Sequence, residues 1–311
     1  MGKVVDLSMN PACHLACVFC CDHGVGTAGL TTDEVKSFLE LRRAEGCDEI
    51  EFSGFESSRR QDFPEIAAHA RALGYRSMLM ITNGSLFSDR DLTRRIVAAG
   101  VTRFIVSFHS HTAALEDRIT QVPGIFERKI TGVRNLLAAV EEAIAAGADP
   151  TAFDVSNNIV IHRLNVEHLP EIVRFHVAQG LRDVHLYFVR PIGFALRDFD
   201  AVVPTYVEAV PYAQRALDAG RALRAKIVLC EVPLCLMSGY EPFRGIRKEK
   251  EVTVGVHTPG RSVREGTLWS HVNLDELRAA KTKGPDCARC AHEPSCDGVW
   301  RDYVERRGWS E

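Results

Sequence analysis

Short apolar runs alternate along the chain with longer segments in which apolar residues recur at helical spacing. Residues 4–7 form the first run and predict a strand; residues 32–44 predict a helix, with Thr31 or Thr32 as N-cap and Gly46 as stop. The pair recurs as strand 49–52 with helix 64–73, strand 77–81 with helix 89–99, and strand 103–108 with helix 126–146. In the last of these helices Ile130, Val133, Leu137, Val140 and Ile144 share one face, and Gly147 ends it. Strand 153–161 with helix 170–179, then strand 183–189 with helix 204–224, complete six units. Parallel strands joined by right-handed helical crossovers curl into a full or partial barrel, with chemistry at the C-terminal strand ends.

After Ala225 the pattern changes. Residues 244–266 are rich in charge and Gly without a helical period, which predicts a loop or hairpin insertion with a solvated face. No repeat of fixed period and no low-complexity tract is present. The chain therefore divides into a core, residues 1–224, and a following region, residues 225–311. Its 311 residues, 46% hydrophobic and 25% charged, are enough to bury a substantial core. A net charge of −3 gives no overall positive field, so neither a nucleic-acid nor a membrane partner is expected. No apolar run is long enough to span a bilayer, residues 1–7 lack a signal-peptide core, and no Ser or Thr suits myristoylation at Gly2; a cytoplasmic protein is expected.

The ten cysteines change the picture, because clustered thiols in a reducing compartment more often bind metal than pair. Cys13, Cys17 and Cys20 are spaced C-x3-C-x2-C on the loop after the first strand, with Cys21 adjacent. Three thiolates on one loop can hold three irons of a cubane and leave the fourth iron open. The other reading is a structural zinc site using Cys21 as fourth ligand. The spacing, the aromatic Phe19 just before Cys20 and the position after strand one resemble the radical S-adenosylmethionine (SAM) superfamily. That resemblance implies a partial (β/α)6 TIM-type barrel and an open iron that chelates S-adenosylmethionine. It also implies reductive cleavage to methionine and a 5′-deoxyadenosyl radical, which removes a hydrogen atom from substrate. A reducing partner of flavodoxin or ferredoxin type is expected with it.

Later strand ends match the same family. Ser53-Gly54-Phe55-Glu56 resembles its Gly-Gly-Glu segment, which implies that Gly54 and Glu56 bind the methionyl amino group; Phe55 replaces the second Gly and Ser57 the usual Pro, so the local backbone is expected to differ. Thr82-Asn83-Gly84 matches a turn of relatives that brings Asn83 to the cofactor. Ser107-Phe108-His109, with Glu116 and Asp117 beyond, resembles the segment contacting ribose and methionyl carboxylate; His109 could instead be a satisfied polar residue near the rim. Asn157 and Asn158 on strand five and Arg190 after strand six match positions lining the cofactor pocket. Arg190 reads equally as an ion-pair partner at the surface.

Cys287, Cys290 and Cys296 are spaced C-x2-C-x5-C, and Cys235 offers a fourth thiolate from a distant loop. Four thiolates close either a 4Fe-4S cluster or a tetrahedral zinc site. The arrangement resembles the auxiliary-cluster tail of SPASM and twitch enzymes, although Trp300 stands where a full SPASM domain would place another cysteine. Two 4Fe-4S clusters are thus expected, and a chemistry that oxidises or crosslinks a ribosomal peptide. Sugar or aminocyclitol dehydrogenation or epimerisation is the alternative, and a zinc-stapled binding protein the non-enzymatic one. Cys47 is expected to be a small buried residue; Cys230 is a candidate ligand, hydrogen-atom donor or core residue.

Overall fold

The computed structural model describes residues 3–9, 12–21, 29–245, 252–255, 270–271 and 279–309. Strand β1 (Lys3–Ser8) is followed by α1 (Thr32–Ala44), β2 (Cys47–Phe52), α2 (Phe63–Ala72), β3 (Ser77–Thr82), α3 (Arg90–Ala98) and β4 (Arg103–Ser107). Two helices, α4 (Ala113–Thr120) and α5 (Ile125–Ala145), lead to β5 (Asp154–Ile161), and α6 (Leu169–Ala178) leads to β6 (Asp183–Phe188). The single-turn helices α7 (Phe194–Arg197) and α8 (Phe199–Val202) then precede α9 (Tyr206–Ala222) and β7 (Lys226–Cys230). Strands β1 to β7 pair in parallel in sequence order, giving an α/β fold of the partial TIM-barrel type.

The six expected strand-helix units are all present. The sheet nonetheless continues past Arg224: Lys226–Cys230 adds a seventh parallel strand against β6, so the change of pattern placed after Ala225 falls one strand too early. Its five residues end in Leu229 and Cys230, too short a run to stand out beside the loop that follows. On the opposite edge β8 (Val252–Gly255) pairs parallel with β1, and β9 (Ser270–His271) returns antiparallel to it. Of the stretch 244–266 only Arg244, Gly245 and β8 are described, β9 falls beyond it, and the expected loop or hairpin otherwise lies outside the described residues.

Two-residue alternation sorts the strand side chains. Phe104 and Val106 of β4, Ile159 and Ile161 of β5, Leu186 and Phe188 of β6, and Ile227 and Leu229 of β7 join the cores beneath the helices. Ser107, Asn158, Tyr187 and Cys230 therefore point to the inner face, near the C-terminal strand ends. The α1 helix begins with a capping box in which the Glu34 N–H donates to Thr31 Oγ1 at 3.2 Å and the Thr31 N–H to Glu34 Oε2 at 2.7 Å.

In α5 the buried stripe runs through Ile130, Val133, Leu136, Ala139 and Val140, with Leu137 and Ile144 at its edge. Leu136, not Leu137, is its centre, because the helix also packs on the turn after β3. Gly132 is the closest approach: a Cβ there would fall inside the Gly84 carbonyl oxygen. Gly84 itself sits at φ 74 in the Asn83-Gly84 turn, where glycine avoids strain. Gly132→Ala would gain about 1 kcal/mol of helix propensity. A main-chain oxygen cannot swing aside, however, and overpacking of this kind costs about 1–3 kcal/mol or more. A lowered urea midpoint is expected; an unchanged or raised midpoint would show that α5 can slide off the turn.

Candidate functional site

The cysteine loop is hung between two elements by main-chain atoms. The Ala16 and Val18 N–H groups donate to the Thr120 and Ile119 carbonyls at the C-terminus of α4, both at 3.0 Å, and the Phe194 N–H donates to the Cys20 carbonyl at 2.9 Å. Gly193, at φ 58, lies so close that a Cβ would strike the Cys20 and Cys21 main chain. Within the loop the Cys13 sulfur accepts from the Leu15 N–H at 3.4 Å. Burial raises the Cys13 thiol, and at Cys17 burial, joined by the charges of Cys20 and Cys13 and opposed by that of Lys129, pushes the thiol up to about 12. A Cys17 thiol whose ionisation is opposed by burial and by the charges of Cys20 and Cys13 belongs to a donor set that a polynuclear cation would stabilise as thiolates.

Glu56 and Asn83 meet this loop. Gly54 and Phe55 take φ values of 67 and 46, so Phe55 holds a left-handed backbone that its Cβ makes costly. Glu56 is fully buried. Its Oε1 accepts from the Ser58 and Thr82 hydroxyls at 2.6 and 2.8 Å, and its Oε2 from the Asn83 N–H at 2.7 Å. Burial raises this carboxyl and the hydrogen bonds counter it. The Asn83 side-chain amide reaches the Cys13 sulfur at 3.8 Å, while its Oδ1 accepts from the Ser85 N–H at 3.0 Å. Three motifs far apart in sequence thus share one hydrogen-bonded unit.

At the end of β4 the Phe19 ring packs edge-on to His109, centroids 4.8 Å apart, and beside His162 at 5.1 Å. His109 is buried, its Nδ1 accepting from the Val160 N–H at 3.2 Å, and burial keeps it neutral. Ser107 shares the register of Asn158, and the Asn158 carbonyl accepts from the Phe108 N–H at 3.3 Å. Asn157 instead turns to the core side, donating to the Phe108 carbonyl at 3.3 Å. Asp117 caps α5 by accepting from the Gly124 and Ile125 N–H groups at 2.6 and 3.1 Å. Lys129 and His162 carry no motif. Lys129 had one legible signal: three residues after Phe126 and four before Val133, it lies on the apolar face.

Arg190 stands apart from this group. Its guanidinium contacts Glu231 at 3.4 Å and covers the Trp300 ring at 5.6 Å, and Lys281 contacts the same carboxylate at 2.9 Å. Lys281 begins the short hairpin of β10 (Lys281–Thr282) and β11 (Val299–Trp300), whose connection holds Cys287, Cys290 and Cys296. These three and Cys235 line one cavity of about 230 Å³. Burial raises the Cys235 thiol, and the charges of the other three raise it further. The Gly284 and Gly298 N–H groups donate to the Cys287 and Cys296 sulfurs at 3.3 and 3.4 Å. Among the described residues no three His, Cys, Asp or Glu side chains are grouped tightly enough to share one metal ion. Cys47 is buried in the core as expected, and Cys21 is exposed. Cys230 is buried on the inner face; burial pushes its thiol up to about 11, against a hydrogen bond with Tyr187.

The model of the Radical SAM superfamily matches residues 7–176, more than half of the chain. The chain belongs to the radical SAM superfamily. Membership implies S-adenosylmethionine and a 4Fe-4S cluster, and the Cys13, Cys17 and Cys20 donor set fits that cluster. Among curated proteins it is similar to the probable GTP 3′,8-cyclases of Saccharolobus solfataricus and Sulfolobus acidocaldarius. The first is 27% identical over 213 residues, covering 66% of this chain and 64% of that protein. The second is 25% identical over 195 residues, covering 62% and 58%. The chain thus spans less than two thirds of these relatives. In fold it is similar to Streptococcus suis SuiB bound to precursor peptide SuiA, with TM-score 0.64 and 12% identity over 98% of this chain and 73% of that one. It is similar also to anSMEcpe with bound AdoMet, with TM-score 0.67 and 11% identity over 96% and 89%. No helix among the described residues is long and apolar enough to cross a membrane.

Proposed function

We propose that the chain is a radical SAM oxidoreductase that oxidises or crosslinks a ribosomally made peptide, residues 1–224 together with strand β7 forming its radical-generating core and the residues after β7 an auxiliary-cluster region. The observation that carries this reading is the meeting of Cys235, Cys287, Cys290 and Cys296 at one cavity, a donor set that fully ligates a second 4Fe-4S cluster. Such a cluster gives a substrate radical somewhere to leave its electron. Cys13, Cys17 and Cys20 are assigned to the first cluster, and Phe19, Gly54, Glu56, Asn83, Ser107, His109 and Asn158 to S-adenosylmethionine. When bound, that pair supplies a 5′-deoxyadenosyl radical that takes a hydrogen atom from substrate. The residues named here bind and orient: an ionised Glu56 suits a methionyl ammonium, and a neutral, hydrogen-bonded His109 fixes the Phe19 ring. Arg190 is assigned to a carboxylate of cofactor or substrate, and a flavodoxin- or ferredoxin-type protein to delivery of the electron.

SuiB bound to precursor peptide SuiA and anSMEcpe bound to the Kp18Cys peptide support a peptide substrate. The curated relatives, named as GTP cyclases, favour a second reading in which a small molecule is the substrate. Anaerobic, reconstituted enzyme with S-adenosylmethionine and dithionite separates the two. A precursor peptide encoded beside the gene is expected to stimulate 5′-deoxyadenosine formation and to lose a pair of hydrogens. In heavy water the attacked carbon of that product should carry no solvent deuterium, and Cys230→Ala should keep turnover. Stimulation by GTP or an aminocyclitol alone would move the assignment to small molecules. Deuterium at the attacked carbon, with product lost in Cys230→Ala, would make the enzyme an epimerase.

A further inference from the structure

One buried donor beside the cysteine loop is used by none of the assignments above. His162 directly follows β5 and is fully buried. Ile159 and Ile161 enter the core, so alternation turns His162 inward, where its ring lies beside that of Phe19 at a tilt of 31°. The Leu164 N–H donates to His162 Nδ1 at 3.3 Å. That bond leaves the ring proton on Nε2. Nε2 is itself buried and meets no acceptor among the described residues.

The flanks of this ring are held by bonds that do not use Nε2. The His162 main-chain N–H donates to Asn165 Oδ1 at 2.9 Å, and the Asn165 amide donates to the Val160 and His109 carbonyls at 2.9 and 3.0 Å. Across Phe19, the His109 N–H donates to Glu116 Oε2 at 3.2 Å, and Glu116 is fixed by a fully buried ion pair with Lys129 at 2.6 Å. A buried N–H left without an acceptor is costly, whereas an apolar side chain would fill the same space without that cost. Asn158, four residues earlier on the same face, likewise carries a buried Oδ1 without a partner.

We infer, on the assignment of Phe19 and His109 to S-adenosylmethionine above, that His162 is a further binding residue of that site, its Nε2–H donating to an uncharged acceptor of the nucleoside. Burial pushes the imidazole down to about 3, so the ring is a neutral donor. A neutral donor among aromatic rings suits a ribose oxygen or a ring nitrogen of the base. The methionyl carboxylate would call for a cation, and the methionyl ammonium has no acceptor to offer.

The test is equilibrium dialysis of the reconstituted holoenzyme against S-adenosylmethionine and, separately, against methionine, with the cluster kept oxidised so that nothing is cleaved. His162→Phe keeps a ring against Phe19 without a donor, and His162→Asn keeps an acceptor for the Leu164 N–H without reaching the Nε2 position. Both are expected to weaken S-adenosylmethionine about tenfold, equivalent to about 1.4 kcal/mol, and to leave methionine unchanged. His162→Gln, whose amide reaches the Nε2 position, is expected to recover most of that loss. Should His162→Phe fail to load iron because the Leu164 N–H is left unpaired, His162→Asn against His162→Gln decides. Wild-type affinity for S-adenosylmethionine in a fully loaded His162→Phe or His162→Asn variant would overturn the inference. An equal weakening of methionine would overturn it too, leaving His162 a prop for the Phe19 ring. Wild-type holoenzyme that binds no S-adenosylmethionine would instead strike the cofactor assignment itself, and the inference with it.

Discussion

Replacing Cys13, Cys17 and Cys20 together by Ala is expected to abolish reductive cleavage of S-adenosylmethionine, with no 5′-deoxyadenosine above the enzyme-free background. The loss should be complete because Cys21, the next thiol along the chain, is exposed, and its main chain is pressed against Gly193. The loop itself should persist, since its anchors to α4 and α7 are main-chain bonds. The variant is therefore expected to fold and retain its far-UV spectrum. Cleavage surviving in that folded variant would place the radical-generating cluster elsewhere.

The second large effect is on metal content. With three ligands for one cubane and four for another, the intact protein should bind about eight irons per chain, and the N-terminal triple variant about four. The complementary variant, with Cys235, Cys287, Cys290 and Cys296 all replaced by Ala, should also bind about four irons and still cleave S-adenosylmethionine without completing product. Iron measured beside zinc by mass spectrometry checks this. Zinc in the tail, or an iron-free N-terminal variant, would end the auxiliary-cluster assignment.

Most of the barrel was legible because its strands and helices keep separate periods over long stretches, and six of the parallel strands fall where the alternation puts them. What escaped was set by tertiary pairing. The α4 helix is eight residues long and starts without a side-chain cap, so it has little local signature. Strand β8 is placed by its register with Val5 to Ser8, 247 residues earlier in the chain, and no local pattern encodes such a pairing. In the site, the cysteines, Glu56 and Asn83 were readable as motifs. Lys129 was not, because a helical lysine ordinarily reads as solvated and only its register against Phe126 and Val133 marks it as buried. Arg190 shows the reverse case: its position at a strand end was legible, but its partner Glu231 follows a strand that the sequence did not reveal.

The suspension of the cysteine loop from carbonyl and amide groups has an evolutionary consequence. Substitutions at Ala16 or Val18 leave the bonds that hold the thiols in place untouched, so the loop can drift in composition while its geometry persists. Changes of length are another matter. Adding or removing one residue in α4 would rotate its terminal carbonyls by about 100°, turning Ile119 and Thr120 away from the loop. Descendants of this chain should therefore vary at Ala16 and Val18, proline aside, yet share one spacing from Glu116 to Thr120.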